Sequence, residues 1–71
     1  MKISFDTKAD AIYIKFKDGK FKFNKEVEEG VIIDFGENNE ILGIEILEAS
    51  TRFSIKDISD INIQMPLELV G

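Results

Sequence analysis

The residues able to do chemistry in this 71-residue chain are carboxylates, lysines and a single tyrosine. His and Cys are both absent. That removes the commonest general base, the thiolate nucleophile and the imidazole- or thiolate-held metal, and with them Ser-His and Cys-His catalysis. Three carboxylates, Glu26, Asp34 and Glu45, read as neighbours on adjoining strands. Together they would offer oxygen ligands to a hard cation, or an acid–base pair. Their spacing is not that of a calcium loop, and Asp34 is equally placed to accept a hydrogen bond from Tyr13 or Asn24. Gly19, Gly30, Gly36 and Gly43 lack phosphate-loop spacing and read as turns and a flat strand position. No catalytic residue, metal ligand or cofactor is assigned.

The lysines form the other chemical group. In "YIKFKDGKFKF" (Tyr13 to Phe23) they alternate with apolar residues on both sides of Asp18-Gly19. Asp-Gly between alternating runs is a strong hairpin signal. A two-residue turn there sets Lys17 opposite Lys20 and Lys15 opposite Lys22, so that Lys15, Lys17, Lys20 and Lys22 share one face. Like charges directly opposite are mildly destabilising. Solvent, the acidic end of a second subunit, or an external anion would neutralise them. Single-stranded nucleic acid asks for interleaved aromatics, and base or phosphate readout for arginine. The lysine face has Tyr13 alone, and the chain has Arg52 alone. Nucleic acid is therefore the weaker reading of the anion.

The elements that must position these groups are strands. Apolar residues alternate from residue 2 to 48, and Gly and Asx punctuate them. Five strands are expected, at 2–6, 11–17, 20–27, 31–36 and 41–48. The loop Thr7 to Asp10 sets Phe5 against Ile12 and Ile3 against Ile14. Glu28-Glu29-Gly30 fits a three-residue hairpin with left-handed Gly, setting Val27 against Val31, Lys25 against Ile33 and Phe23 against Phe35. Asn38-Asn39 fits a two-residue turn that sets Phe35 against Leu42, Ile33 against Ile44 and Val31 against Ile46.

These registers agree on one apolar face, interrupted only by Lys25. The opposite face runs from a basic end (Lys2 and the four lysines) through a middle row of Ser4, Tyr13, Asn24, Asp34 and Gly43. It ends at Asp6, Glu26 and Glu45. The tail from Ala49 must supply the cover. "SIKD" (Ser54 to Asp57) resembles a capping box, so a helix is expected within 50–60. "INIQM" (Ile61 to Met65) alternates again before Pro66, Leu67 and Leu69. The expected fold is α+β, mainly β. It is a five-stranded antiparallel meander with a short C-terminal helix on its apolar face and a short final strand, in one domain spanning 1–71.

The totals agree with a globular chain, 44% hydrophobic and 32% charged. With no long apolar run and no signal-like N-terminus, a soluble cytoplasmic protein is expected. The net charge of −5 conceals a polarity. Residues 1–25 carry seven Lys against three Asp; residues 26–71 carry eleven acids against Arg52 and Lys56. So small a core also favours a homodimer.

Three blocks carry a resemblance to a known family. "FDTKADAIYI" (Phe5 to Ile14), "EEGVIIDF" (Glu28 to Phe35) and "GIEILEAS" (Gly43 to Ser50) are similar to the blocks of the prokaryotic domain of unknown function 2283 family. The matching pattern residues are Asp6, Ala9, Asp10, Ala11, Tyr13, Gly30, Asp34, Gly43, Glu45, Ala49 and Ser50. Asn38-Asn39 stands where the family often has Asp-Gly. The resemblance spans about residues 2–53. It implies a small β-rich domain without established activity, and an antitoxin-like role beside a small toxin-like protein.

The functional expectation is a non-enzymatic, homodimeric interaction module presenting its polar face to a protein partner and binding no membrane. Its candidate surface is Lys15, Lys17, Lys20, Lys22, Tyr13, Asn24, Asp34 and Glu45. One rival is anion or nucleic-acid binding through the lysines. The other is a carboxylate metal site or enzyme.

Overall fold

The computed structural model describes residues 1–66. Five strands, β1 (Lys2–Asp6), β2 (Ala11–Lys15), β3 (Phe21–Glu28), β4 (Val31–Gly36) and β5 (Ile41–Ile46), form one antiparallel sheet. Two short helices, α1 (Ala49–Arg52) and α2 (Ile55–Ser59), follow. The α+β, mainly β class and the five strands stand, with ends differing by a few residues. No helix among the described residues is long and apolar enough to cross a membrane.

The strand order is β1-β2-β5-β4-β3, which corrects the meander. β2 pairs with β5, and β3 lies at the far edge. Three hairpin-linked strands with a fourth returned beside them make a Greek key. Asp18-Gly19 therefore closes no hairpin. Residues 16–20 cross the end of the sheet: Phe16 N and Lys17 N donate to Leu42 O, and Glu37 N donates to Lys20 O. Gly19 lies directly over Leu42, where a Cβ would stand 2.5 Å from Cδ2. This crossing helps make Leu42 one of the few buried apolar side chains, at 6% exposure. It also removes the facing Lys15–Lys22 and Lys17–Lys20 pairs.

Most other registers follow the alternation. Phe5 faces Ile12, Ile3 faces Ile14, Ile33 faces Ile44 and Val31 faces Ile46. Phe23 pairs with Phe35, their rings stacked at 4.9 Å. Gly30 takes the expected left-handed conformation (φ 76). A shift after Glu26 sets Glu28, rather than Val27, against Val31. The turn after β4 is one residue longer than expected. Gly36 N bonds Glu40 O, Asn39 N bonds Gly36 O, and Asn39 is left-handed (φ 62). Phe35 consequently pairs with Ile41, and a register shift at Leu42 restores Asp34 to Gly43.

The expected helix is two. Asp10 fixes α1: its backbone O accepts from Ala49 N, and its carboxylate accepts from Ser50 N (3.0 Å) and Ser50 Oγ (2.7 Å). α2 starts on the expected capping box, with Ser54 Oγ accepting from Asp57 N and Asp57 returning the bond to Ser54 N. Neither helix closes over the apolar face. Phe53, Ile58 and Ile61 stand across an open groove of about 450 Å³ from Ile3, Phe5 and Ile12. Phe5 stays 39% exposed, Phe23 40% and Val27 46%. The expected cover is thus half built, because five helical residues are too few to span five strands. Residues 61–66 form no strand. Leu67 and Leu69 lie outside the described residues.

Candidate functional site

The polar face is positioned by the β2–β5–β4 pairings. Tyr13 on β2 is in register with Glu45 on β5, and Glu45 with Ile32 on β4. One step along, Lys15, Gly43, Asp34 and Asn24 make the neighbouring row. Tyr13 and Asp34 therefore sit diagonally, on either side of Gly43. The Tyr13 hydroxyl donates to Asp34 Oδ2 at 2.9 Å. Gly43 makes this possible, since a Cβ there would lie 2.5 Å from the hydroxyl and 2.8 Å from Ile14 O. Three strands are joined by one tyrosine laid across a bare backbone.

The electrostatics hold the phenol neutral. Partial burial raises the Tyr13 pKa above the ordinary 10.0, and the bond to Asp34 and the charges of Asp34 and Glu45 add to it. A raised phenol is the opposite of an activated base or nucleophile. The pair acts as a donor–acceptor clamp. Among the described residues no three carboxylates gather as a cation site would require. Glu26 instead uses Oε2 to accept from Gly30 N (3.1 Å), tying down the β3–β4 turn.

The structure brings together Tyr13, Asp34, Glu45 and Asn24, and splits the lysines: Lys15 and Lys17 stay beside Lys2 and Asp18, whereas Lys20 and Lys22 lie apart. Lys15 is paired with Asp18 at 2.7 Å, which holds that carboxyl below its ordinary value. Lys17 follows β2 in the crossing segment, while Lys20 meets Glu37 at 3.5 Å. Lys22 lies on edge strand β3, separated from β2 by β5 and β4. Three strand spacings, about 14 Å, part Lys15 from Lys22. The continuous lysine face is therefore absent, because it required β2 beside β3.

A second polar constellation lies at the other end of the sheet. Arg52 Nε donates to Leu47 O (2.9 Å), and its second nitrogen donates to Glu29 O (2.7 Å), binding the end of β5 to the β3–β4 turn. With Asp10 and Ser50 it locks the acidic end of the sheet. A separation of 40 residues between Asp10 and Ser50 leaves no local spacing signal. Only the family pattern singles those two out.

Comparison with known proteins now bears on these positions. The model of the family described as "Protein of unknown function (DUF2283)" matches residues 2–50. The chain belongs to this family. The matched span takes in Asp10, Tyr13, Asp34, Gly43 and Ser50, so the clamp and the Asp10 lock both fall inside the family domain. An uncharacterized protein of Methanocaldococcus jannaschii is 31% identical over 71 residues, all of this chain and 60% of that protein. A Methanosarcina mazei protein named "Putative hypoxanthine phosphoribosyltransferase" is 35% identical over 54 residues, 76% of this chain and 43% of that protein. The chain thus spans about half the length of these relatives. No solved structure matches it.

Proposed function

We propose that this protein is a non-enzymatic interaction module that self-associates through the apolar face of its sheet and offers the polar face to a protein partner. The observation carrying this reading is the half-covered apolar face, with Phe5, Phe23 and Val27 each more than a third exposed. Domains bury such faces against a second layer, and exposed apolar patches of this kind mark association sites. The neutral, hydrogen-bonded Tyr13 and the absence of His and Cys favour binding over catalysis. An antitoxin-like role rests on the family resemblance alone.

Sedimentation equilibrium and native mass spectrometry of the full chain test this reading. A dimer at micromolar concentration is expected. A monodisperse monomer that also leaves apolar dyes unbound would remove the basis for it.

A further inference from the structure

The sheet's two halves differ, and the difference specifies how a second copy would fit. Over β1 and β2 the apolar face is overhung by Phe53, Ile58 and Ile61, which leave an open trough. Over β4 and β3 none of those residues reaches, and Phe23 and Val27 project from edge strand β3. One half is a socket and the other a bare apolar ridge. The charges follow the same division. Lys25 shares the apolar face with Ile33 on the ridge side, and makes no ion pair among the described residues. Asp57 and Asp60 line the socket beside Ile3.

From this we infer that two copies pack face to face about a two-fold axis parallel to the strands and passing over central β5. That operation lays each chain's β3–β4 ridge into the other's socket, and brings each Lys25 to the partner's Asp57 and Asp60. A two-fold axis perpendicular to the strands would set helix against helix and ridge against ridge, leaving a gap and facing lysines. The inference rests on the self-association proposed above and adds its geometry.

The areas are of the right size. The chain exposes 5832 Å², whereas a compact monomer of 8.1 kDa exposes roughly 4,500 Å². Its radius of gyration is 13.9 Å against roughly 11 Å for a compact 71-residue domain, and its thinnest extent is 19 Å. The excess of roughly 1,300 Å² per chain is shared between the bare sheet face and the exposed residues 59–66, and leaves room for an interface of the standard size.

Zero-length carbodiimide coupling of the wild-type dimer is the test, because it joins only carboxylates and amines already in contact. A link within one chain leaves the mass monomeric, so only a species of dimeric mass reports a contact between copies. A covalent dimer whose mapped link joins Lys25 to Asp57 or Asp60 is expected, and Lys25→Gln should abolish that link. Lys25→Glu should weaken the dimer about tenfold, and adding Asp60→Lys should restore it, with circular dichroism reporting intact strands throughout. A wild-type dimer that lacks the link, or ignores Lys25→Glu, overturns this geometry and leaves self-association standing. A link between the two β3 edges does the same. A wild-type monomer overturns self-association itself.

Discussion

Tyr13 and Asp34 meet at 2.9 Å across Gly43, so that strands β2 and β4 are bonded over the central strand that separates them. Each of the three residues accounts for another. Asp34 accepts the bond, Gly43 clears its path, and Tyr13 is long enough to cross. Replacing Tyr13 with Phe keeps the ring and removes the donor. The loss expected is about 1–2 kcal/mol, between a neutral and a charge-assisted bond, because the carboxylate pair is only part-buried. Urea unfolding of Tyr13→Phe against wild type measures it. An unchanged midpoint would show the bond to be worth nothing net.

Gly43→Ala should cost more. Its Cβ would fall within 2.8 Å of the Ile14 carbonyl as well as against the tyrosine, and the backbone contact cannot rotate away. A destabilisation of about 1–3 kcal/mol is expected, as for other overpacked sites. Combining it with Tyr13→Phe should give less than the sum, because both lose the same bond.

Alkaline pH should loosen the clamp. Tyr13 titrates above 10.0 in the folded chain because burial and Asp34 disfavour the phenolate. A group whose pKa is raised by folding stabilises fully below its unfolded value and loses that stabilisation as pH rises through its folded value. The stability gap between wild type and Tyr13→Phe should therefore be constant below about pH 10 and close above it. Paired unfolding curves across that range would show it, and a gap that widens would contradict the assignment.

Asp10→Ala should release α1. It removes both carboxylate bonds to Ser50 and puts Ala at a left-handed position (φ 52). Losing such a cap costs about 1 kcal/mol, whereas Asn tolerates the conformation and retains one acceptor. Asp10→Asn should therefore be milder. Hydrogen exchange at the Ala49 and Ser50 amides reads the effect locally.

Much of the site is legible in the sequence alone. Tyr13, Asn24, Asp34, Gly43 and Glu45 belong to one sheet face whichever strands are neighbours, because alternation assigns faces and not partners. The hairpin at Gly30 and the capping box at Ser54 were legible for a related reason: each is written in a few consecutive residues. The joining of Lys20 and Lys22 to Lys15 and Lys17 is not legible in this way, because it depends on which strands pair. Asp18-Gly19 has the composition of a tight turn, and nothing local distinguishes a hairpin from a crossing.

The sequence by itself determined that this chain makes five amphipathic antiparallel strands with an apolar side, a polar side and a capped helix after them. Tertiary structure decided the order of those strands. Antiparallel alternation is satisfied equally by β2 on β3 and by β2 on β5, so the choice falls to non-local packing. Gly19 seated over Leu42, Tyr13 reaching Asp34 over Gly43, and the spreading of Lys15 from Lys22 all come with β2 on β5. The Gly19–Leu42, Tyr13–Asp34 and Tyr13–Gly43 contacts join residues 21 to 30 positions apart, beyond the reach of any turn or periodicity.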